Sequence, residues 1–122
     1  KEIEEKIFSV KEELLFKKTN RKRKNDGYNV ILTLTTCKRY DLFKKTMDSI
    51  LYFWEDIKKI DKFVIIDDNS SEEDKNLMIQ NYPFIDLFEK DEEQKGHRSS
   101  MNIIWNLLNT VKPKYWILML IK

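Results

Sequence analysis

The sequence predicts an α/β fold: an open parallel sheet of four strands in spatial order 3-2-1-4, preceded by an extra N-terminal helix. Three observations predict it. Short apolar runs near residues 30–35, 63–67, 85–88 and 115–121 are almost continuously hydrophobic, as strands covered on both faces must be. Segments with apolar residues three and four apart separate these runs, which is the period of an amphipathic helix. Right-handed crossovers then leave few ways to join the strands, and the doubly wound, Rossmann-like arrangement is the expected one.

Residues 2–18 read as the first helix. Ile3, Ile7, Val10 and Leu14 form one apolar stripe, which Leu15 and Phe16 extend. Glu4 and Glu5 in the first turn, and Lys17 and Lys18 in the last, suit the helix dipole. The stripe covers fewer than two heptads, which fits a docked helix better than a coiled-coil or partner-binding one. Residues 19–29 read as a polar linker. Its cluster Arg21-Lys22-Arg23-Lys24 has the composition of a localisation signal or a phosphate-contact patch, although basic residues in a solvated linker need neither role. The expected division is therefore residues 1–27, helix and basic linker, and residues 28–122, the α/β domain.

In that domain Val30 to Thr35 is the first buried strand. Asp41 is placed to cap a helix running to about Lys59, with Leu42, Phe43, Met47, Ile50, Leu51 and Trp54 on its apolar face. Phe63 to Ile66 forms the second strand. Ser70 or Ser71 caps the next helix, whose first turn holds Glu72, Glu73 and Asp74, with Leu77 and Met78 buried. Pro83 stops it, and Phe84 to Glu89 is the third strand. Gly96 to Ser99 leads into a helix with Met101, Ile104, Trp105 and Leu108 on one face. Trp54 and Trp105 are expected to pack their helices on the sheet. Pro113 ends the connection, and Tyr115 to Ile121 is the fourth strand.

Charge narrows the function classes. The 23 basic and 21 acidic residues leave a net +2, too balanced for a chain that coats itself in nucleic acid through global charge. The longest apolar run, Tyr115 to Ile121, falls far short of the roughly 20 residues that a membrane span needs. The charged stretch from Lys1 to Lys18 does not read as a secretory signal. Cys37 is the single cysteine, so no internal disulfide forms, and a reducing, cytoplasmic location is expected.

Ligands of open parallel sheets bind beyond the carboxyl ends of the strands, near the point where strand order reverses. That rule selects three turns: Thr35-Thr36-Cys37-Lys38-Arg39, Asp67-Asp68-Asn69-Ser70 and Lys95-Gly96-His97-Arg98. Their chemistry suits a nucleotide. Asp67 and Asp68 can accept from a base imide or ribose hydroxyls, and Thr35 and Thr36 can meet a base edge. Lys38, Arg39, His97 and Arg98 can meet a diphosphate. Glycine-rich dinucleotide and P-loop patterns are absent. Each group also has a plainer reading. Asp67-Asp68-Asn69-Ser70 can be turn and cap chemistry, and His97 an exposed histidine. Cys37 reads as a small core residue rather than a nucleophile, because His97 is the single histidine in the chain. Glu89 to Glu93 reads as a solvated loop rather than a metal frame.

At these turns the sequence resembles family-2-type glycosyltransferases of the GT-A fold. Ile31-Leu32-Thr33-Leu34-Thr35-Thr36-Cys37-Lys38-Arg39, with Tyr40 to Phe43 and Ser49-Ile50-Leu51 behind it, looks like that family's opening strand and helix. Phe63-Val64-Ile65-Ile66-Asp67-Asp68-Asn69-Ser70-Ser71 is similar to its strand and Asp-Asp-x-Ser turn, the most specific of the matches. Gly96-His97-Arg98-Ser99-Ser100-Met101-Asn102 looks like the turn and helix over the sugar-nucleotide diphosphate. The resemblance covers residues 29–117. It implies that Thr35 and Cys37 line a base pocket, Asp68 contacts the base, Asp67 supports the turn and Arg98 approaches the diphosphate. The donor set it implies is Thr35, Thr36, Cys37, Arg39, Asp67, Asp68, Gly96, His97 and Arg98, for a UDP- or GDP-linked sugar.

Family members hold Mg²⁺ or Mn²⁺ through an acidic D-x-D-like motif after the fourth strand. Here Leu118-Met119-Leu120-Ile121-Lys122 carries no acid, so no metal ligand is expected in this chain. The expectation is a donor-binding half that precedes the metal motif and the acceptor half and is inactive alone. A non-catalytic α/β interaction or regulatory domain is the alternative, because fold does not fix function.

Overall fold

The computed structural model describes residues 2–20, 30–36, 38–68, 70–89 and 97–120, with 97–99 and 120 as backbone only. The elements run α1 (Glu2–Thr19), β1 (Val30–Thr36), α2 (Tyr40–Phe53), β2 (Lys62–Asp67), α3 (Glu72–Asn81), β3 (Ile85–Glu89), α4 (His97–Val111) and β4 (Tyr115–Leu120). All strand pairs are parallel, and the spatial order is β3-β2-β1-β4, the architecture the sequence predicts.

Strand alternation sorts the side chains into two layers. Leu32, Leu34, Phe63 and Ile65 face α1, α2 and α3, where they pack with Val10, Leu14, Phe43, Met47, Leu51 and Met78. Ile31, Val64 and Ile66 face the other way, onto Ile104 of α4. Right-handed crossovers produce this split. Stepping from β1 to β2 to β3 lays α2 and α3 on one face, and returning past β1 to β4 lays α4 on the other.

The first helix docks as a stripe. Val10 and Leu14 are buried in the main core, and Lys17 pairs with Asp61 at 2.9 Å. Phe16 does not extend the stripe. It lies roughly 200° around the helix from Leu14 and is 69% exposed.

Several boundaries differ from expectation. Asp41 does not cap α2: the helix starts at Tyr40, and Arg39 occupies the cap position without a side-chain capping bond. The Asp41 carboxylate is gripped by Arg39 instead, Nε to Oδ1 at 2.9 Å and Nη2 to Oδ2 at 2.8 Å. α2 ends at Phe53 rather than near Lys59, with Trp54 extended beyond it. The break, followed by a 3-10 turn over Ile57–Lys59, lets Ile57 and Ile60 reach the core. Ser71 caps α3 by accepting from the Asp74 amide at 3.1 Å, while Ser70 is committed elsewhere. Phe84 is buried but precedes β3, in a turn closed by the Ile85 N–H to the Tyr82 carbonyl. Trp105 does not bury against the sheet. It is 53% exposed and lies beside Trp116, ring centroids 5.8 Å apart. The basic linker and residue 121, the expected end of the fourth strand, lie outside the described residues.

Among the described residues no helix is long and apolar enough to cross a membrane.

Leu34 is fully buried between β2, β4 and the helical layer. Leu34→Ala should cost about 2–5 kcal/mol of unfolding free energy. Phe16→Ala, by contrast, should change it by about 0.5 kcal/mol or less. Urea denaturation of both variants checks the contrast.

Candidate functional site

Strand order reverses between β1 and β4, so the crevice beyond their carboxyl ends is where a ligand is expected. β1 ends at Thr36 and β2 at Asp67, and the two residues stand opposite each other in the parallel ladder. Alternation directs both toward the layer of α2 and α3. The first two turns selected by the sequence are joined directly. The Asp68 amide donates to the Thr36 carbonyl at 2.8 Å, and the Lys38 amide donates to Ser70 Oγ at 3.0 Å.

Asp67 organises this junction. It is almost fully buried, and its carboxylate accepts from Ser70 Oγ at 2.5 Å and from the Ser70 amide at 3.0 Å. Ser70 thus donates its hydroxyl to one turn while accepting from the other. The role of Ser70 as a link is the part that sequence reasoning underweights. Its signal is an Asp three residues before a Ser, a pairing that favours local side-chain-to-backbone turns. Burial pushes the Asp67 carboxyl above the ordinary carboxylate range, and the bonds from Ser70 oppose that rise. Both Asp67 oxygens being engaged, its geometry supports the turn rather than reaching outward.

Other members of the set fall as follows. Thr35 is half-buried and Thr36 buried. Thr36 Oγ1 has no hydrogen-bond partner among the described residues. Asp68, immediately past β2, is half-buried. Lys38 is exposed and takes a left-handed backbone, φ 55°, a conformation that costs a residue with a Cβ roughly 1–2 kcal/mol. The hydrogen bond that its backbone N–H donates to Ser70 Oγ holds it there. Arg39 is exposed and paired with Asp41, and that guanidinium draws the Asp41 carboxyl down to about 2. The Asp41 pair occupies Nε and Nη2 of Arg39, so a diphosphate would be met through the remaining guanidinium donors or in place of Asp41. Cys37 and Gly96 lie outside the described residues. His97 and Arg98 begin α4 as backbone, and the contacts called for their side chains lie outside the described residues as well.

A groove of about 480 Å³ lies elsewhere, on the α4 face over β2 and β3. Its floor is Val64, Ile66 and Phe88, and at its rim Lys62 pairs with Asp86 at 3.3 Å. That lining is mainly apolar, whereas the switch point gathers hydroxyls, carboxylates and backbone polar groups.

Among the described residues, few side-chain oxygens at the carboxyl end of the sheet are placed for a hard dication. Leu118, Met119 and Leu120 at the end of β4 carry no side-chain oxygen, and Asp67 has both oxygens on Ser70. Among the described residues no group of three or more metal-ligating side chains assembles.

Compared with protein-family models, curated proteins and solved structures, the chain matches none.

The raised Asp67 pKa sets a pH dependence. The folded state holds this proton more tightly than the unfolded chain, so the associated stability is present in acid and is lost as pH rises through the folded pKa. Asp67→Asn removes the titration. Relative to wild type, the variant should gain stability steadily as pH climbs from below the ordinary carboxylate range to neutral. Denaturant unfolding across that range checks this, and a pH-independent difference between the two proteins would contradict it.

Proposed function

We propose that this chain binds the nucleotide of a UDP- or GDP-linked sugar, as the donor-binding half of a family-2-type glycosyltransferase. One observation carries the reading: a buried hydroxyl, Thr36 Oγ1, at the carboxyl end of β1, lacks a partner among the described residues. An unpaired buried polar group costs about 1–3 kcal/mol. A base edge entering beside Asp68 would supply the missing bond, while the Asp68 carboxylate accepts from the base imide. Lys38 and Arg39, exposed at the mouth of the same turn, supply cations for the diphosphate. Thr35, Cys37, Gly96, His97 and Arg98 belong to the same set by resemblance.

Leu118 to Leu120 at the end of β4 offer no side-chain oxygen, and the binding proposed for these turns uses none from a metal-held group. The single cysteine supports a cytoplasmic setting for this activity.

Calorimetry with UDP, GDP and their sugars, with and without Mn²⁺, tests the reading. Weak, metal-independent binding without sugar transfer is expected. Thr36→Val should weaken it about tenfold, equivalent to about 1.4 kcal/mol. The same substitution should leave the unliganded protein as stable or more so, since it removes an unpaired buried oxygen. Absence of nucleotide binding, equal binding by Thr36→Val, or tight Mn²⁺-dependent binding would overturn the proposal.

A further inference from the structure

The groove over β2 and β3 has a polar end and an apolar end, and its two walls agree on which is which. Alternation puts Lys62, Val64 and Ile66 of β2, with Asp86 and Phe88 of β3, on the face toward α4. From the amino end of the sheet to the carboxyl end, this wall passes from Lys62 and Asp86 through Val64 to Ile66 and Phe88. The α4 wall is a single helix face, Ile103, Asn106, Leu107 and Thr110, at three- and four-residue spacing. Because α4 runs back against the strands, Thr110 stands at the amino end and Ile103 at the carboxyl end.

Charge is uneven in the same direction. Asp86 is shared by two lysines, Oδ1 lying 3.4 Å from Lys18 Nζ and Oδ2 3.3 Å from Lys62 Nζ. Asp61, next to Lys62 in the chain, is matched by Lys17 at 2.9 Å. Two ammoniums facing one carboxylate leave a single positive charge in excess. The carbonyl end of α4 lies nearby and opposes it, but with only about half an elementary charge. The Lys62 side chain is 22% exposed, so its charge borders the groove rather than standing in bulk water, where salt would screen it. At the other end no charged side chain lines the groove among the described residues, and Phe88 is 43% exposed.

The dimensions suit a small molecule. The 480 Å³ volume lies within the roughly 300–1,000 Å³ of small-molecule pockets, which are lined mainly by apolar groups with a few polar ones that orient the ligand. From Lys62 to Ile66 the strand covers about 13 Å. A continuation past β4, which a donor-binding half implies, would add at the opposite edge of the sheet from β3.

We infer that this groove binds a single-chain organic acid, its hydrocarbon body against Phe88, Ile103 and Leu107 and its carboxylate at Lys62. The chain withdraws Phe88 from water. The Lys62 ammonium carries three donors, so the acid group joins Asp86 there rather than replacing it.

Decanoate, whose extended chain is about as long as the groove, is the probe, used below its micelle concentration. Calorimetry should show one decanoate per chain, and amide NMR should place the shifts at Val64, Phe88, Ile103 and Leu107. Decylammonium, with the same chain and the opposite charge, should bind at least about tenfold more weakly. Lys62→Met should weaken decanoate by about the same factor and leave decanol unchanged. Circular dichroism checks that the variant folds, and the ligand pair decides the matter in the wild-type chain if it does not. A nucleotide should instead shift Thr36 and Asp68, so the two sites stand or fall separately. No binding of decanoate, more than one per chain, shifts outside the groove, decylammonium binding as well as decanoate, or a Lys62→Met variant that treats decanoate and decanol alike would overturn the proposal.

Discussion

Strand β1 is the constraint on which the remaining structure depends. It is hydrogen-bonded on both sides, to β2 and to β4, and covered on both faces. Every residue from Ile31 to Leu34 is fully buried. A strand in that position can carry no unpaired charge, and Thr33, the polar residue in its fully buried middle, needs a partner. It has one: its hydroxyl accepts from the Trp116 indole at 2.8 Å. That bond ties β1 to β4 on the face where α4 is the covering helix among the described residues.

The same burial determines what happens where β1 stops. Thr36 is still beneath the helical layer, while Lys38 is already exposed. The chain must leave the sheet within two residues, and the left-handed Lys38 backbone accomplishes this. Asp67 faces the same transition on β2 and resolves it differently, by spending a carboxylate on the Ser70 amide and hydroxyl. The two turns then support each other through Lys38 and Ser70. Two neighbouring aspartates acquire distinct roles in this way: Asp67 is structural, while Asp68, one residue further on, stands half-buried at the end of the strand.

What the sequence revealed follows from which interactions are local and repetitive. Strand runs and the order β3-β2-β1-β4 were legible because burial on both faces writes continuous hydrophobicity, and crossover handedness does the rest. The capping of α2 was not legible. Asp41 has the composition of a cap, but Arg39, two residues away, engages it in a bidentate pair. The early end of α2 was hidden for a similar reason. Ile57 and Ile60 continue a helical spacing, and only the tertiary core shows that a 3-10 turn delivers them. Trp105 misled because size and helical position suggest burial, whereas it sits at the flank of α4. At the candidate site, the positions of Thr36, Asp67 and Asp68 came from the strand ends. The Ser70 bridge and the unpaired Thr36 hydroxyl depend on contacts between turns some thirty residues apart, which no periodicity encodes.

Left-handed lysines stand at both ends of the sheet, Lys38 beyond β1 and Lys112 before β4, whereas the buried hydroxyl without a partner among the described residues lies at the carboxyl end. A left-handed lysine and an unpaired buried hydroxyl each cost about 1–3 kcal/mol, against a typical net stability of about 5–15 kcal/mol for a domain. The opposite end of β1 shows no such cost. There the Val30 amide donates to Asp61, the Asp61 amide donates back to the Val30 carbonyl, and Lys17 pairs with the same aspartate. Among the described residues, the polar groups at the amino end of β1 are paired, while Thr36 Oγ1 at the carboxyl end is not. The strain there is sustainable because β1 is locked along its length, so the turn beyond it can be held in a conformation that local preference alone would not choose.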